Sequence, residues 1–231
     1  MYVYGKNVII SILESNKKII KAYLHKNFND KTIITALQKR KIQIEWLEKY
    51  ELDKLANKGH QGIILKIPAY EYVNYEKFVN EENSLVVILD HLEDPHNLGA
   101  IVRTCEAAGV SGIIIPKDRS VSVNSTVMKV SVGALENVSI AQVTNIGRTI
   151  RELKKKGFWI IGTDLDGTNF EEMDYQGKIA LVIGNEGKGL SKLVKSECDF
   201  IAKIPMFGKI NSLNASVAAG IIIYKAKMMR G

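Results

Sequence analysis

The chain reads as an α/β protein: a mostly parallel sheet with helices on both faces, preceded by a smaller α/β unit. Three observations predict this. From residue 84 onward, short apolar runs alternate with segments of helical spacing. Those runs are apolar throughout, as strands covered on both faces must be. The charge also changes along the chain. Residues 1–67 hold 13 Lys/Arg against 6 Asp/Glu, a net of +7, whereas residues 68–231 hold 19 of each.

In the first segment, NVIISILES (7–15) has helical spacing and KIIKAYLHK (18–26) reads as a strand with Ile20 and Tyr23 inward. TIITALQKRK (32–41) reads as a helix and IQIEWL (42–47) as an alternating strand. HQGIILKI (60–67) is a turn, with Gly62 giving it conformational freedom, and then a last strand. The polar stretch 68–83 reads as a linker with a short helix near 74–80, so the expected domains are 1–67 and 84–231.

In the second segment SLVVILD (84–90), GIIIP (112–116), VSIAQV (138–143), FWIIGTD (158–164), IALVIG (179–184) and FIAKIP (200–205) read as strands. NLGAIVRTCEAAG (97–109), NSTVMKVSVGALE (124–136), NIGRTIRELKKKG (145–157) and NASVAAGIIIYKAKMM (214–229) read as helices. Two polar turns, GNEGKGL and SLNAS, follow directly on strands, where an open α/β sheet places ligands.

Composition excludes several classes. With 46% hydrophobic and 25% charged residues the chain is not a disordered one. No apolar run approaches the roughly 20 residues that span a bilayer, and the amino terminus lacks a signal-peptide core. Cys105 and Cys198 belong to no CxxC pattern, which fits a reducing cytoplasm and argues against zinc. His91 and His96 lack a third ligand, so no metal is expected. The net charge of the first segment suits a polyanion such as nucleic acid, or simply a solvated basic surface.

The turns carry the candidate chemistry. GNEGKGLSK (184–192) fails the GxxxxGK[ST] spacing of a phosphate loop and the GxGxxG of a dinucleotide fold. It reads as a strand-to-helix turn whose acid, Glu186, would be poorly solvated unless something uses it. Asn97 stands where an N-cap would, and Ser212 with Asn214 reads as an N-cap pair for the last helix. Arg103 sits on a helix of apolar and small residues, where it reaches solvent along its stem or pairs with an anion. No GxSxG elbow is present, so a serine hydrolase is not indicated.

Together, DPHNLGAIVRT (94–104), NEGKGL (185–190) and IPMFGKINSLNASVA (204–218) resemble, in order and spacing, the three motifs of the SpoU-TrmH family of RNA ribose 2′-O-methyltransferases. VYGKNVI near the amino terminus and the HQG turn at 60–62 resemble the ribosomal-protein-like substrate-binding domain of its large-subunit rRNA members, the RlmB type. The resemblance implies a trefoil-knotted SPOUT fold, with the knot over about residues 181–230. It implies S-adenosylmethionine held by Gly184, Ile204 and Leu213, with Thr163 and Gly162 as further lining. It implies catalytic roles for Asn97, Arg103, Glu186, Ser212 and Asn214, with Glu186 orienting Arg103. It also implies a cytoplasmic homodimer, packed through the knotted domain, that methylates a guanosine ribose of large-subunit rRNA. A tRNA ribose methyltransferase, or an RNA-binding or resistance-type methyltransferase with another target, are the alternatives within it.

Overall fold

The computed structural model describes residues 1–56 and 59–230, which fall into two compact units. The first comprises Met1–Glu71 together with Val123–Glu136, and the second Tyr72–Ser122 and the chain from Asn137 onward.

In the first unit the elements run β1 (Tyr2–Tyr4), α1 (Lys6–Glu14), β2 (Lys21–His25), α2 (Lys31–Lys39), β3 (Ile44–Leu47), α3 (Lys49–Leu55) and β4 (Ile63–Lys66). The sheet order is β1-β4-β2-β3, with β2 and β3 parallel and the other pairs antiparallel. Asp30 caps α2 by accepting the backbone N–H of Ile33. The Arg40 guanidinium closes α1 by donating to the carbonyls of Ile12, Leu13, Ser15 and Lys17, which the helix end would otherwise leave unpaired.

Two expectations are corrected here. Ile20 is 46% exposed; it lies one residue before β2, and its neighbour Ile19 takes the buried position. The helix expected over 124–136 is broken. It spans only Ser125–Val130 (α5), after which Val132 and Gly133 take positive φ and a 3-10 turn follows at Ala134–Glu136. A Cβ on Gly133 would stand 2.5 Å from Ser11 Oγ, so the reversal needs glycine on both counts. α5 packs on β1 and buries Val127 and Met128.

The second unit has a six-stranded sheet in which every neighbouring pair is parallel. Its strands are β5 (Leu85–Leu89), β6 (Gly112–Pro116), β7 (Ile140–Val143), β8 (Trp159–Asn169), β9 (Ile179–Ile183) and β10 (Phe200–Lys203), in the order β10-β8-β9-β5-β6-β7. Its helices are α4 (Pro95–Ala107), α6 (Ile146–Lys155), α7 (Lys192–Glu197) and α8 (Ala215–Met229).

Both faces of the sheet are covered. Val86 and Ile88 share one core cluster with Ile146, Ile150 and Leu153 of α6 and Val194 of α7. Their strand neighbours Leu85, Val87 and Leu89 are equally buried, and α4 packs against α8. This two-sided burial is why the strands read as unbroken apolar runs. The stretch expected as a linker contributes Phe78 and Val79 to that cluster, and Val73 bridges to Ala141 beside β7.

Two features of the sheet bear on the site. Order reverses at β5: the chain moves outward through β6 and β7, then returns to the other side, so β5 and β9 bracket a switch point. Between β8 and β10 the register jumps: Gly162 faces Ile201, but Ala202 faces Thr168. Residues 163–167 therefore arch out of the ladder. A Cβ on Gly167 would lie 2.4 Å from the Ile201 carbonyl oxygen, so the arch closes only over glycine.

Candidate active site

A cleft of about 380 Å³ opens between the arch of β8 and the carboxyl ends of β9 and β10. Its walls include Thr163 on the arch, Gly184 and Glu186 on the turn after β9, and Ile204, Ser212 and Leu213 on the segment after β10. That size suits a small organic ligand.

The turn after β9 is held from below. Asn185 and Gly189 exchange two backbone hydrogen bonds of 3.0 Å, and the Asn185 side chain accepts the N–H of Gly187 and donates to the His91 carbonyl at 2.8 Å. The Asp90 carboxylate, 1% exposed, accepts the Ser191 N–H at 2.7 Å and pairs with His91 Nδ1 at 2.6 Å. One carboxylate at the end of β5 thus fastens the far end of the turn after β9. Asp90→Ala leaves the Ser191 N–H without its acceptor and removes a buried, hydrogen-bonded charge. The expected cost is about 2–4 kcal/mol, seen as a lowered midpoint in urea unfolding.

Gly184 is explained by the turn itself. A Cβ there would stand 2.3 Å from the Gly189 carbonyl carbon and 2.6 Å from Leu190 N. The glycine admits the turn's own backbone. Gly162 is placed differently from the other expected lining residues. It faces Leu190 and Cys198, which a Cβ would meet at 2.7 and 2.8 Å, and it does not line the cleft. Thr163 donates its hydroxyl to the Val182 carbonyl at 3.1 Å, keeping β8 and β9 together at the rim.

The polar residues divide into three groups. Asn97 is not the cap of α4: Asp94 is, accepting the His96 N–H at 2.9 Å, with Pro95 in the first turn. Asn97 is buried in that turn and donates its amide to Glu186 Oε1 at 2.8 Å. Glu186 is exposed, not desolvated, and its partner is Asn97. Asn214 caps α8, its side-chain Oδ1 accepting the N–H of Ser216 at 2.9 Å and the Ser216 hydroxyl at 2.6 Å. Ser212 lies on the cleft wall and is exposed. Arg103 is exposed on α4, six residues beyond Asn97, and does not line the cleft of its own chain.

Sequence reasoning missed Asp90 and Asp164. Asp164 lines the cleft. Burial pushes its carboxyl up, but the Lys195 ammonium at 2.8 Å and the Leu165 N–H outweigh this, so it ionises below the usual range. The available signal was an acid closing two of the six strand runs, SLVVILD and FWIIGTD. Among the described residues no group of His, Cys, Asp or Glu could hold a metal, and no helix is long and apolar enough to cross a membrane.

The SpoU rRNA Methylase family matches residues 84–224, which include the whole cleft. The chain belongs to this family. A second match, RNA 2′-O ribose methyltransferase substrate binding, covers residues 2–73 of this SpoU methylase. YacO of Bacillus subtilis (strain 168), named for the TrmH tRNA/rRNA methyltransferase family, is 44% identical over 99% of this chain and 96% of its own. A TrmH family tRNA/rRNA methyltransferase from Staphylococcus haemolyticus is 43% identical over 99% of this chain and 95% of its own. Among solved structures, the SpoU methyltransferase AviRb from Streptomyces viridochromogenes superimposes with a TM-score of 0.84 at 23% identity, covering 100% of this chain and 89% of AviRb, which shows the shared fold. An rRNA methyltransferase from Sinorhizobium meliloti, solved with AdoMet bound, gives a TM-score of 0.81 at 25% identity over 98% and 86%.

Proposed function

We propose that this SpoU methylase transfers a methyl group from S-adenosylmethionine to a ribose 2′-hydroxyl of RNA, with a guanosine of large-subunit rRNA as the target. One observation carries the reading. Residues from separate motifs converge on one cleft: Gly184, Glu186, Ile204, Ser212 and Leu213 line it, and Asn97 is tied to it through Glu186. The rRNA methyltransferase from Sinorhizobium meliloti that was solved with AdoMet bound has the same fold.

The cleft suits the donor. Its wall includes the small residues Gly184, Gly189, Ala202 and Ala215, with Ile204 and Leu213 as apolar sides. Such a wall can accept a purine ring and pair with its edge through the main chain. When bound, the donor supplies an activated methyl on sulfonium. The protein's share is alignment and proton handling. Glu186 lines the cleft with one carboxylate oxygen engaged by Asn97, which leaves the other free to accept from a ribose hydroxyl. Asn97 is thus a positioning residue and Ser212 a hydrogen-bonding partner for the sugar. Asn214 acts through its cap, fixing where Ser212 and Leu213 stand. Arg103 grips the substrate phosphate or the developing alkoxide; a guanidinium does not readily give up its proton.

The remaining assignments follow the same reading. Residues 1–67, with Val123–Glu136 returning to the same unit, form the RNA-binding domain, and the rest of 84–231 the catalytic one, with 68–83 running between them and the knot over about 181–230. The enzyme works in the cytoplasm as a homodimer. On α8, Val217, Ile221, Tyr224 and Met228 recur at helical spacing and are 49%, 36%, 44% and 79% exposed, an apolar stripe that a second copy would cover.

The test incubates the purified protein with radiolabelled S-adenosylmethionine and total RNA from cells lacking it, then maps alkali-resistant linkages. Label at one ribose of large-subunit rRNA is the expected outcome. Label confined to tRNA, or on a base, overturns the assignment.

A further inference from the structure

In β1, alternation puts Tyr2 and Tyr4 on one face of the sheet and buries Val3 on the other. The register then sets Tyr2 opposite Lys66, and Lys66 opposite Lys21. Like charges directly opposite each other destabilise a sheet. Glu45 offsets Lys21 at 2.6 Å. Lys66 has no carboxylate partner among the described residues; its ammonium lies 5.9 Å from the Tyr2 ring. Lys129 likewise has none, and sits 5.5 Å from the Tyr4 ring. Lys21 is 5.4 Å from the Tyr23 ring, which meets Tyr2 edge-on.

Beside these rings is a cleft of about 390 Å³, lined by Tyr2, Tyr4, Tyr70, Ala56 and Asn124 among others, none of them acidic. Leu52, Leu55 and Ala56 pack with Tyr23 and Ile64 on the inner part of this face, which leaves its β1 rim half-buried. A rim that keeps two cations without carboxylate partners beside half-buried aromatic rings fits a ligand offering both anions and flat apolar faces.

We propose that this face, with Tyr2, Tyr4, Lys66 and Lys129 at its centre, docks an unpaired stretch of RNA. The proposal rests on the RNA reading above and adds which surface is used and which form of RNA. Bases stack on tyrosine whatever their sequence, and their phosphates meet the lysines. A base sliding onto the Tyr4 ring takes the ring face while its phosphate takes the Lys129 ammonium. A duplex hides its base faces and cannot use the rings. An acidic peptide would satisfy the lysines but leave the tyrosines idle.

The full chain is titrated into a fluorescein-labelled 12-nucleotide oligouridylate, a 12-base-pair RNA duplex and polyglutamate, at several salt concentrations. Oligouridylate is expected to bind tightest. Tyr2→Leu with Tyr4→Leu should weaken it at least about tenfold, since each stacked base contributes on that scale. Tyr2→Phe with Tyr4→Phe, which keeps the rings, should stay within about twofold. Lys66→Gln with Lys129→Gln should flatten the slope of log affinity against log salt by about 1.4, or roughly 0.7 per phosphate contact on a single strand.

Leucine variants that bind like the wild type overturn the proposal. So do phenylalanine variants as weak as the leucine ones, or tighter binding of the duplex or polyglutamate. Photocrosslinking of 4-thiouridine RNA to the unaltered protein gives a reading independent of variant folding: adducts at Tyr2 or Tyr4 support the proposal, and adducts only elsewhere refute it. Methyl transfer by a protein whose adducts lie elsewhere removes this docking face alone. Adducts at Tyr4 without any methyl transfer remove the enzymatic reading alone.

Discussion

Gly184→Ala should lose both stability and the methyl donor. Its new methyl would lie 2.3 Å from the Gly189 carbonyl carbon and 2.6 Å from the Gly189 oxygen and Leu190 nitrogen. All three are main-chain atoms of the same turn, so no side chain can swing aside. The turn must open, and its two anchors resist: Asn185 holds the His91 carbonyl, and Asp90 holds the Ser191 N–H. Overpacking of this kind costs about 1–3 kcal/mol, or roughly 2–12 °C in a chain of this size. Because the displaced turn is also the wall bearing Glu186, S-adenosylmethionine affinity should fall at least about tenfold, a loss of about 1.4 kcal/mol. Calorimetry measures both, and an unchanged melting temperature with unchanged affinity would falsify the account of this glycine.

Arg103→Ala should behave in the opposite way. Arg103 is exposed and holds no carboxylate among the described residues, so removing it should leave stability within about 0.5 kcal/mol. Donor binding should persist, since Arg103 does not line the cleft. Methyl transfer should nonetheless drop by about 100- to 1000-fold, the scale for losing one donor to a developing oxyanion. Arg103→Lys should recover little, because a point charge lacks the two-pronged geometry of a guanidinium. Single-turnover transfer to rRNA measures this, and turnover near that of the unaltered protein would end the role. Arg103 stands outside its own chain's cleft, so a homodimer gives a sharper version. Mixing inactive Arg103→Ala and Gly184→Ala protomers should restore activity if the arginine serves the neighbouring copy, and should restore none if it serves its own.

The sheet of the second unit was legible because two-sided burial leaves one mark, a run such as LVVIL or IALVI with no polar alternation. The short helices α3 and α7 were not legible. Each is under two turns and buries a single residue, Leu52 or Val194, so neither leaves a periodic stripe. At the site, the motifs named the participants but not the pairings. Asn97 and Glu186 are 89 residues apart, and Asp94 and Asn97 are both residue types that cap helices, so the local sequence does not say which of them caps α4. Gly184 was attributed to a ligand because the returning Gly189 backbone, five residues on, has no signature in a sequence. Glu186 was expected to be starved of water because nothing in the sequence fixes which way a turn faces.

The return of Val123–Glu136 to the first unit has a consequence for biosynthesis. α5 supplies Val127 and Met128 to that unit and packs on β1, yet these residues follow β5, α4 and β6 in the chain. During translation the amino-terminal unit therefore cannot complete its packing until about residue 136 has left the ribosome, when part of the parallel sheet already exists. Its unfinished β1 edge is meanwhile open to wrong partners. The two units are obliged to mature together, and a fragment cut at their first junction would keep that edge exposed for good.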